Sequence, residues 1–135
     1  MSDLFAPLTL PSSVIMKNRF MLAPMTNCQS HEDGRLSEEE FRWLVMRARG
    51  DFAVTMTGAA SVQASGKGFA GQLGIYSDEH IEGLSRLAAA IRAESSIALI
   101  QPHHSGIRSL SALTGTDPVG PSAHAKFGAR ALTER

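Results

Sequence analysis

The chain has 135 residues, 43% hydrophobic and 19% charged, a balance that allows one ordinary domain with a real core. Lys plus Arg and Asp plus Glu number 13 each, so the formal net charge is zero, which removes the electrostatic case for nucleic acid or an anionic membrane. The single cysteine, Cys28, cannot form an internal disulfide, no apolar run approaches the about 18 residues of a membrane span, and Met1-Ser2-Asp3-Leu4-Phe5 lacks the pattern of a secretory signal; a cytoplasmic protein is expected.

Leu8-Thr9-Leu10, a Pro11-Ser12-Ser13 turn and Val14-Ile15-Met16 predict a small hairpin. Phe20-Met21-Leu22-Ala23 is a short, continuously apolar run, as in a parallel strand buried on both faces, and Pro24 stops it. Asp33-Gly34 marks a turn. Ser37 is placed to cap a helix whose first turn holds Glu38, Glu39 and Glu40, favourable to the helix dipole. Phe41, Leu44, Val45 and Ala48 are spaced for its buried face, and Arg47, Arg49 and Gly50 close it. Phe52 to Thr57 reads as a second strand, followed by a long Gly-rich loop to about residue 76. Ser77 or Asp78 caps the next helix, whose apolar stripe is Ile81, Leu84, Leu87, Ala88 and Ile91. Ile97-Ala98-Leu99-Ile100 is a third strand, ended by Gln101-Pro102. Residues 103–135 are rich in Gly, Pro, Ser and His and show no strong period.

Strand, helix, strand, helix, strand implies parallel strands joined by right-handed crossovers. A doubly wound sheet and a (β/α)8 barrel both fit this order. A complete barrel takes about 250 residues, so the barrel reading assigns only about half of one to this chain.

In both architectures the working groups sit past the carboxyl ends of the strands. That selects Ala23-Pro24-Met25-Thr26, Gly58-Ala59-Ala60 and Gln101-Pro102-His103-His104. Their chemistry suits a planar heterocycle. Amides near Ala23 to Met25 can reach ring-edge atoms, Thr26 offers a hydroxyl, Gln101 offers a donor and an acceptor, and Gly58 permits close approach. The plainer reading is that these are ordinary strand ends, where small polar residues are common.

These segments give the chain a wider resemblance. Leu4-Phe5-Ala6-Pro7, Lys17-Asn18-Arg19, Ala23-Pro24-Met25-Thr26-Asn27, Arg47-Ala48-Arg49-Gly50, Leu73 through Ile81, Gln101 through Gly106, Pro118 through Ala123 and Ala131-Leu132-Thr133-Glu134 occur in order along the chain. Together they resemble the old yellow enzyme family of flavin oxidoreductases, especially its bacterial NADPH dehydrogenase and enoate reductase branch. The resemblance implies an α/β fold, the N-terminal portion of a (β/α)8 TIM barrel with about three to four βα units and an N-terminal hairpin. Residues 1–135 would then form one incomplete FMN-binding domain, with no separate second domain. It implies FMN as cofactor and NAD(P)H as reductant, with hydride passing from the flavin N5 to the β-carbon of an activated alkene such as an enone or enoate. Carried over position by position, Ala23, Pro24 and Met25 would lie along the isoalloxazine. Thr26 would donate to the flavin carbonyl beside N5, Gly58 would lie near the same edge, and Gln101 would bind the pyrimidine side. Cys28 stands where some relatives place a substrate-facing tyrosine, so a large aromatic wall is absent there.

The sequence also departs from the family pattern. Pro102 replaces the usual Leu, and Ile107 interrupts the expected Gly-Arg pair, leaving Arg108 one place late. The substrate-anchoring His/His or His/Asn pair, the proton-donating Tyr and the basic, Gly-rich phosphate site of the family cannot be assigned to any of the 135 residues. The chain alone is therefore expected to supply one flavin edge, no catalytic acid and negligible turnover. Its neutral charge and open strand edges favour a partner, either another copy or a complementary half-barrel.

Other motifs carry less. Gly66-Lys67-Gly68-Phe69-Ala70-Gly71 matches G-x-G-x-x-G, yet it neither follows a strand directly nor opens a helix, so it reads as a flexible loop. His103, His104 and His124 lack a carboxylate or cysteine at ligand spacing, which argues against a metal. His80 reads as structural, and Ser105 has no orienting acid to make it a nucleophile.

Overall fold

The computed structural model describes residues 2–133; Met1 of the N-terminal segment and Glu134 of the closing family-like segment lie outside the described residues. The expected hairpin is present. Strand β1 (Leu8–Thr9) pairs antiparallel with β2 (Ile15–Met16), Leu8 opposite Met16 and Thr9 opposite Ile15. Ser13 takes the left-handed turn position at φ 65°, and its N–H donates to the Leu10 carbonyl at 2.9 Å.

The body of the fold is β3 (Met21–Leu22), α1 (Glu38–Arg49), β4 (Val54–Ser61), α2 (Ile81–Ala93) and β5 (Ile97–His103). The three strands form one parallel sheet in the order β3-β4-β5. This is the βαβαβ crossover pattern of a barrel wall.

Helix α1 begins as the sequence predicts: the Ser37 hydroxyl accepts the Glu40 N–H at 3.1 Å. Its buried face is Leu44, Val45 and Ala48, with Phe41 only partly buried. Its end falls where the sequence places it, with Arg47 and Arg49 in the last turn and Gly50 as the C-cap. Gly50 keeps φ −71°, and the left-handed residue that turns the chain is Asp51 at φ 73°. Ahead of α2, Ser77 caps a short 3-10 turn (Asp78–His80), and Leu87 and Ile91 are the residues of the expected stripe that become buried. Ile81, predicted on that stripe, is 58% exposed, because it lies in the first turn where no strand side chain covers it.

Leu22, Leu44, Val45, Ala48, Leu87 and Ile91 form the main core between helices and sheet. The hairpin covers the other end of the sheet, Met16 packing with Ala53 and Val54. Leu44 is fully buried. Leu44→Ala is expected to cost about 3 kcal/mol in urea-unfolding free energy, as lost burial and an uncollapsed cavity add; an unchanged midpoint would mean that α1 does not seat on the sheet.

Three expectations about strands are corrected. Met21 is 47% exposed although its run reads as buried on both faces, because only the side carrying Leu22 meets the helices. Gly58, Ala59 and Ala60 lie inside β4 rather than beyond it, and Gln101 and Pro102 lie inside β5. Proline is tolerated there because β5 has one neighbour in the sheet and its nitrogen can face the open side. The tail is also more ordered than its composition suggests: β6 (Val119–Gly120) pairs in parallel with β7 (Arg130–Ala131), with a one-turn helix α3 (Ser111–Thr114) before them and a 3-10 turn at Ala125–Phe127 between them. Among the described residues no helix is long and apolar enough to cross a membrane.

Parallel sheets are ordinarily covered on both faces. Here Leu99 is 41% exposed, like Met21 on the face away from the helices. A cleft of about 230 Å³ runs beside β5, lined by Leu84, Ala88 and Ile100 among others.

Candidate functional site

The three segments selected from the sequence come together at the carboxyl end of the sheet. β4 is central, with the β3 end on one side and β5 on the other. Met56 pairs with Leu99 and Ala59 with Gln101, so Thr57 and Gly58 face only Ile100 across the ladder, a β-bulge with one extra residue. Thr57 is buried and holds the bulge shut. Its hydroxyl donates to the Gly58 carbonyl at 2.8 Å and accepts the Gln101 N–H at 3.2 Å. An isolated glycine inside a strand-like run is the sequence signal for such a bulge. Gly58 is buried, and a Cβ on it would stand 2.7 Å from the Met25 carbonyl oxygen. The close approach that this glycine permits is therefore made by the chain's own segment 25–26.

Ala23, Met25, Thr26 and Cys28 are exposed, and Pro24 is half-buried. Among the described residues the Met25 and Thr26 amides meet no acceptor, and the Thr26 hydroxyl and Gln101 side-chain amide have no partner. Cys28 adopts a left-handed φ of 54°, with Gly71 pressed against its carbonyl.

The Gly-rich loop is ordered rather than loose, and each of its three motif glycines has a packing reason. A Cβ on Gly66 would enter the His104 ring, one on Gly68 would meet Ser105, and one on Gly71, at φ 68°, would collide with the Cys28 backbone. Gln72, which no sequence motif singles out, is the buried anchor of this loop. Its Oε1 accepts the Gly68 N–H at 2.8 Å, and its Nε2 donates to the Ala59 carbonyl at 3.2 Å and lies 3.3 Å from His103 Nδ1. His104 Nδ1 accepts the Gly106 N–H at 2.9 Å. The histidines thus serve as loop supports, and the described residues contain no cluster of three metal-ligating side chains. His80, expected to be structural, is buried between Ser77 and the Asp33 carbonyl.

A second unanticipated residue is Glu40, 2% exposed in the first turn of α1. The Ser30 hydroxyl donates to its carboxylate. Burial pushes the Glu40 carboxyl above its usual 4.5, opposed by the Ser30 hydroxyl and the Asn27 amide. Asn27 Nδ2 nevertheless makes no bond of ordinary geometry, and Gln29 Oε1 nearby in sequence is also buried without a partner. The folded chain therefore holds the Glu40 proton more tightly than the unfolded one. That contribution is complete below the unfolded value and is lost as pH rises through the folded value. Unfolding free energy measured from about pH 4 upward should fall with pH in the parent and fall less in Glu40→Gln; parallel curves would refute the assignment.

Fold and site together define a segment of (β/α)8 barrel wall whose strand ends present unpaired polar groups. Residues 3–135 match the model of the NADH:flavin oxidoreductase / NADH oxidase family. The chain is 43% identical over 135 residues to a Bacillus subtilis (strain 168) protein named Probable NADH-dependent flavin oxidoreductase, covering 97% of this chain and 36% of that protein. It is 36% identical over 118 residues to the NADH:fumarate oxidoreductase of Klebsiella pneumoniae (strain 342), covering 87% of this chain and 13% of that one. Among solved structures, the old yellow enzyme homologue from Zymomonas mobilis superposes with a TM-score of 0.82 at 25% identity, over 90% of this chain and 34% of that one. The chain belongs to the NADH:flavin oxidoreductase / NADH oxidase family, the old yellow enzyme group, and spans about a third or less of these relatives. Membership implies FMN, with NAD(P)H as reductant. The residues present fit one edge of such a group: unpaired amides and a hydroxyl at Met25 and Thr26, and an unpaired amide at Gln101, on either side of a glycine bulge.

Proposed function

We propose that this chain supplies the ring-edge part of an FMN site in an NAD(P)H-dependent oxidoreductase that reduces activated alkenes. The carrying observation is the set of unpaired donors at Met25, Thr26 and Gln101, placed on either side of β4. When bound, FMN supplies the hydride chemistry. Ala23, Pro24 and Met25 lie along the ring, Thr26 offers its hydroxyl to the ring edge, and Gln101 offers a donor and an acceptor on the other side. Donors held at that edge favour the reduced, more anionic ring. Gly58 keeps the Met25–Thr26 backbone in place, and Cys28 faces the substrate. The alkene assignment draws support from the relative named for fumarate, an alkene conjugated to carboxylates.

The exposed Met21 and Leu99 and the cleft beside β5 support a companion reading. These surfaces are covered by further barrel units, on the same or another polypeptide, and turnover requires them. The test is to titrate the purified 135-residue chain with FMN by flavin fluorescence, then to follow NAD(P)H oxidation with an enone. Quenching with negligible turnover is expected. A chain that takes up no FMN would sink the ring-edge assignment, and turnover by a verified monomer would sink the companion reading.

A further inference from the structure

The first turn of α1 carries three consecutive glutamates, which differ in surroundings. Glu38 pairs with Arg86 and Glu39 is exposed, both near the positive end of the helix dipole. Glu40 is buried, and no Lys, Arg or His among the described ion pairs neutralises it. A buried carboxylate costs stability unless hydrogen bonds satisfy it, and an apolar residue would serve packing better. What the carboxylate does here is accept. Ser30 Oγ donates to it. Asn27 Oδ1 is turned the other way, accepting the Gln29 N–H at 3.4 Å, which leaves Nδ2 as the group available to Glu40. The Ser30 N–H is fixed in turn by the Gly71 carbonyl at 3.1 Å. Ser30 is thus tied to a buried anchor on helix α1, while Thr26, at the start of the same short segment, keeps its own polar groups free.

We propose that Glu40 is a positioning residue for the ring-facing segment: its buried carboxylate holds Ser30, and through the 26–30 segment sets where Thr26 presents its donors. The inference rests on the proposed FMN edge for its functional meaning, and on hydrogen-bond geometry for its structural part. It distinguishes polarity from bulk. Glu40→Gln keeps size and the acceptor for Ser30 but turns a second NH2 group toward Asn27. The double variant Asn27→Asp/Glu40→Gln gives that new NH2 group an acceptor and removes the unpaired donor at 27.

Two measurements on the full chain test it: amide hydrogen exchange by NMR, needing no ligand, and FMN titration by fluorescence. In Glu40→Gln, exchange at the hydrogen-bonded Gln29 and Ser30 amides should rise about tenfold while the Thr55 and Thr57 amides change less than about twofold. FMN affinity should fall about tenfold, and the double variant should bring both within about threefold of the parent. Ser30→Ala, which removes a donor at the loop, should loosen the same amides and decides the matter if Glu40→Gln fails to fold. Unchanged exchange at Gln29 and Ser30, a uniform rise across the sheet, or failure of the double variant to restore would overturn the proposal. If the parent takes up no FMN, the ring-edge reading fails, and the exchange data alone still decide whether Glu40 holds the segment.

Discussion

Gly71→Ala is expected to lower the unfolding free energy by about 3 kcal/mol, a large share of the roughly 5–15 kcal/mol that holds an ordinary domain together. Two effects add. Gly71 sits at φ 68°, where an L-residue costs roughly 1–2 kcal/mol. Its Cβ would also collide with the Cys28 carbonyl group, which is backbone and cannot rotate away. Gly115 separates the two effects, since it has φ 67° and no atom stands within 4 Å of where its methyl group would lie. Gly115→Ala should therefore cost about 1 kcal/mol, the strain alone. At about 3 °C per kcal/mol for a chain of this size, calorimetry should show a drop of about 9 °C against about 3 °C. Equal drops would show that the Cys28 segment yields freely and that the loop does not clamp it.

That clamp gives the Gly-x-Gly-x-x-Gly stretch a meaning its spacing could not provide. The sequence separates it from a dinucleotide fingerprint, since no strand leads directly into it and it opens no α-helix. It does not reveal that all three glycines face other strand-end segments, His104 and Ser105 for two and Cys28 for the third. Those partners are far away in the chain, and a contact of that kind leaves no local periodicity.

The same distinction runs through the rest of the molecule. Helix α1 is legible in the sequence because its determinants are local: a serine cap, an acidic first turn and an apolar face at helical spacing. The parallel order of β3, β4 and β5 follows from strand–helix alternation. The strand ends are harder to read because Gly58 and Pro102 are local breakers that tertiary pairing overrides, one in a bulge and one on a strand with an open side. Thr57, Gln72 and Glu40 escape the sequence for a related reason. Each is a polar residue made important by burial, and burial of a polar side chain depends on which distant groups satisfy it. Glu40 reads as a helix-dipole residue alongside Glu38 and Glu39; what the sequence does not show is its burial and the Ser30 hydroxyl that donates to it.

Gly58→Ala should have the largest effect on cofactor binding, a loss of FMN affinity of about tenfold to a hundredfold at about 1.4 kcal/mol per decade. The glycine has no left-handed φ, so alanine is conformationally acceptable there. The added Cβ would stand 2.7 Å from the Met25 oxygen and 3.6 Å from the Thr26 Cα. Because Thr57 ties the bulge to Gly58 on one side and Gln101 on the other, β4 is poorly placed to give way. The Met25–Thr26 segment must move instead, carrying both unpaired amides and the Thr26 hydroxyl with it, and binding sites tolerate displacements of about 1 Å poorly. Thr26→Val is the matched comparison. It removes one hydroxyl without displacing backbone, and should weaken binding only by about fivefold, the worth of one ordinary hydrogen bond. Gly58→Ala should retain most of its thermal stability while the NMR amide signals of Met25 and Thr26 shift. Parent-like FMN affinity with shifted amides would mean that the ring edge does not rest on this segment. Parent-like amides would mean that the bulge opens to accept the methyl group.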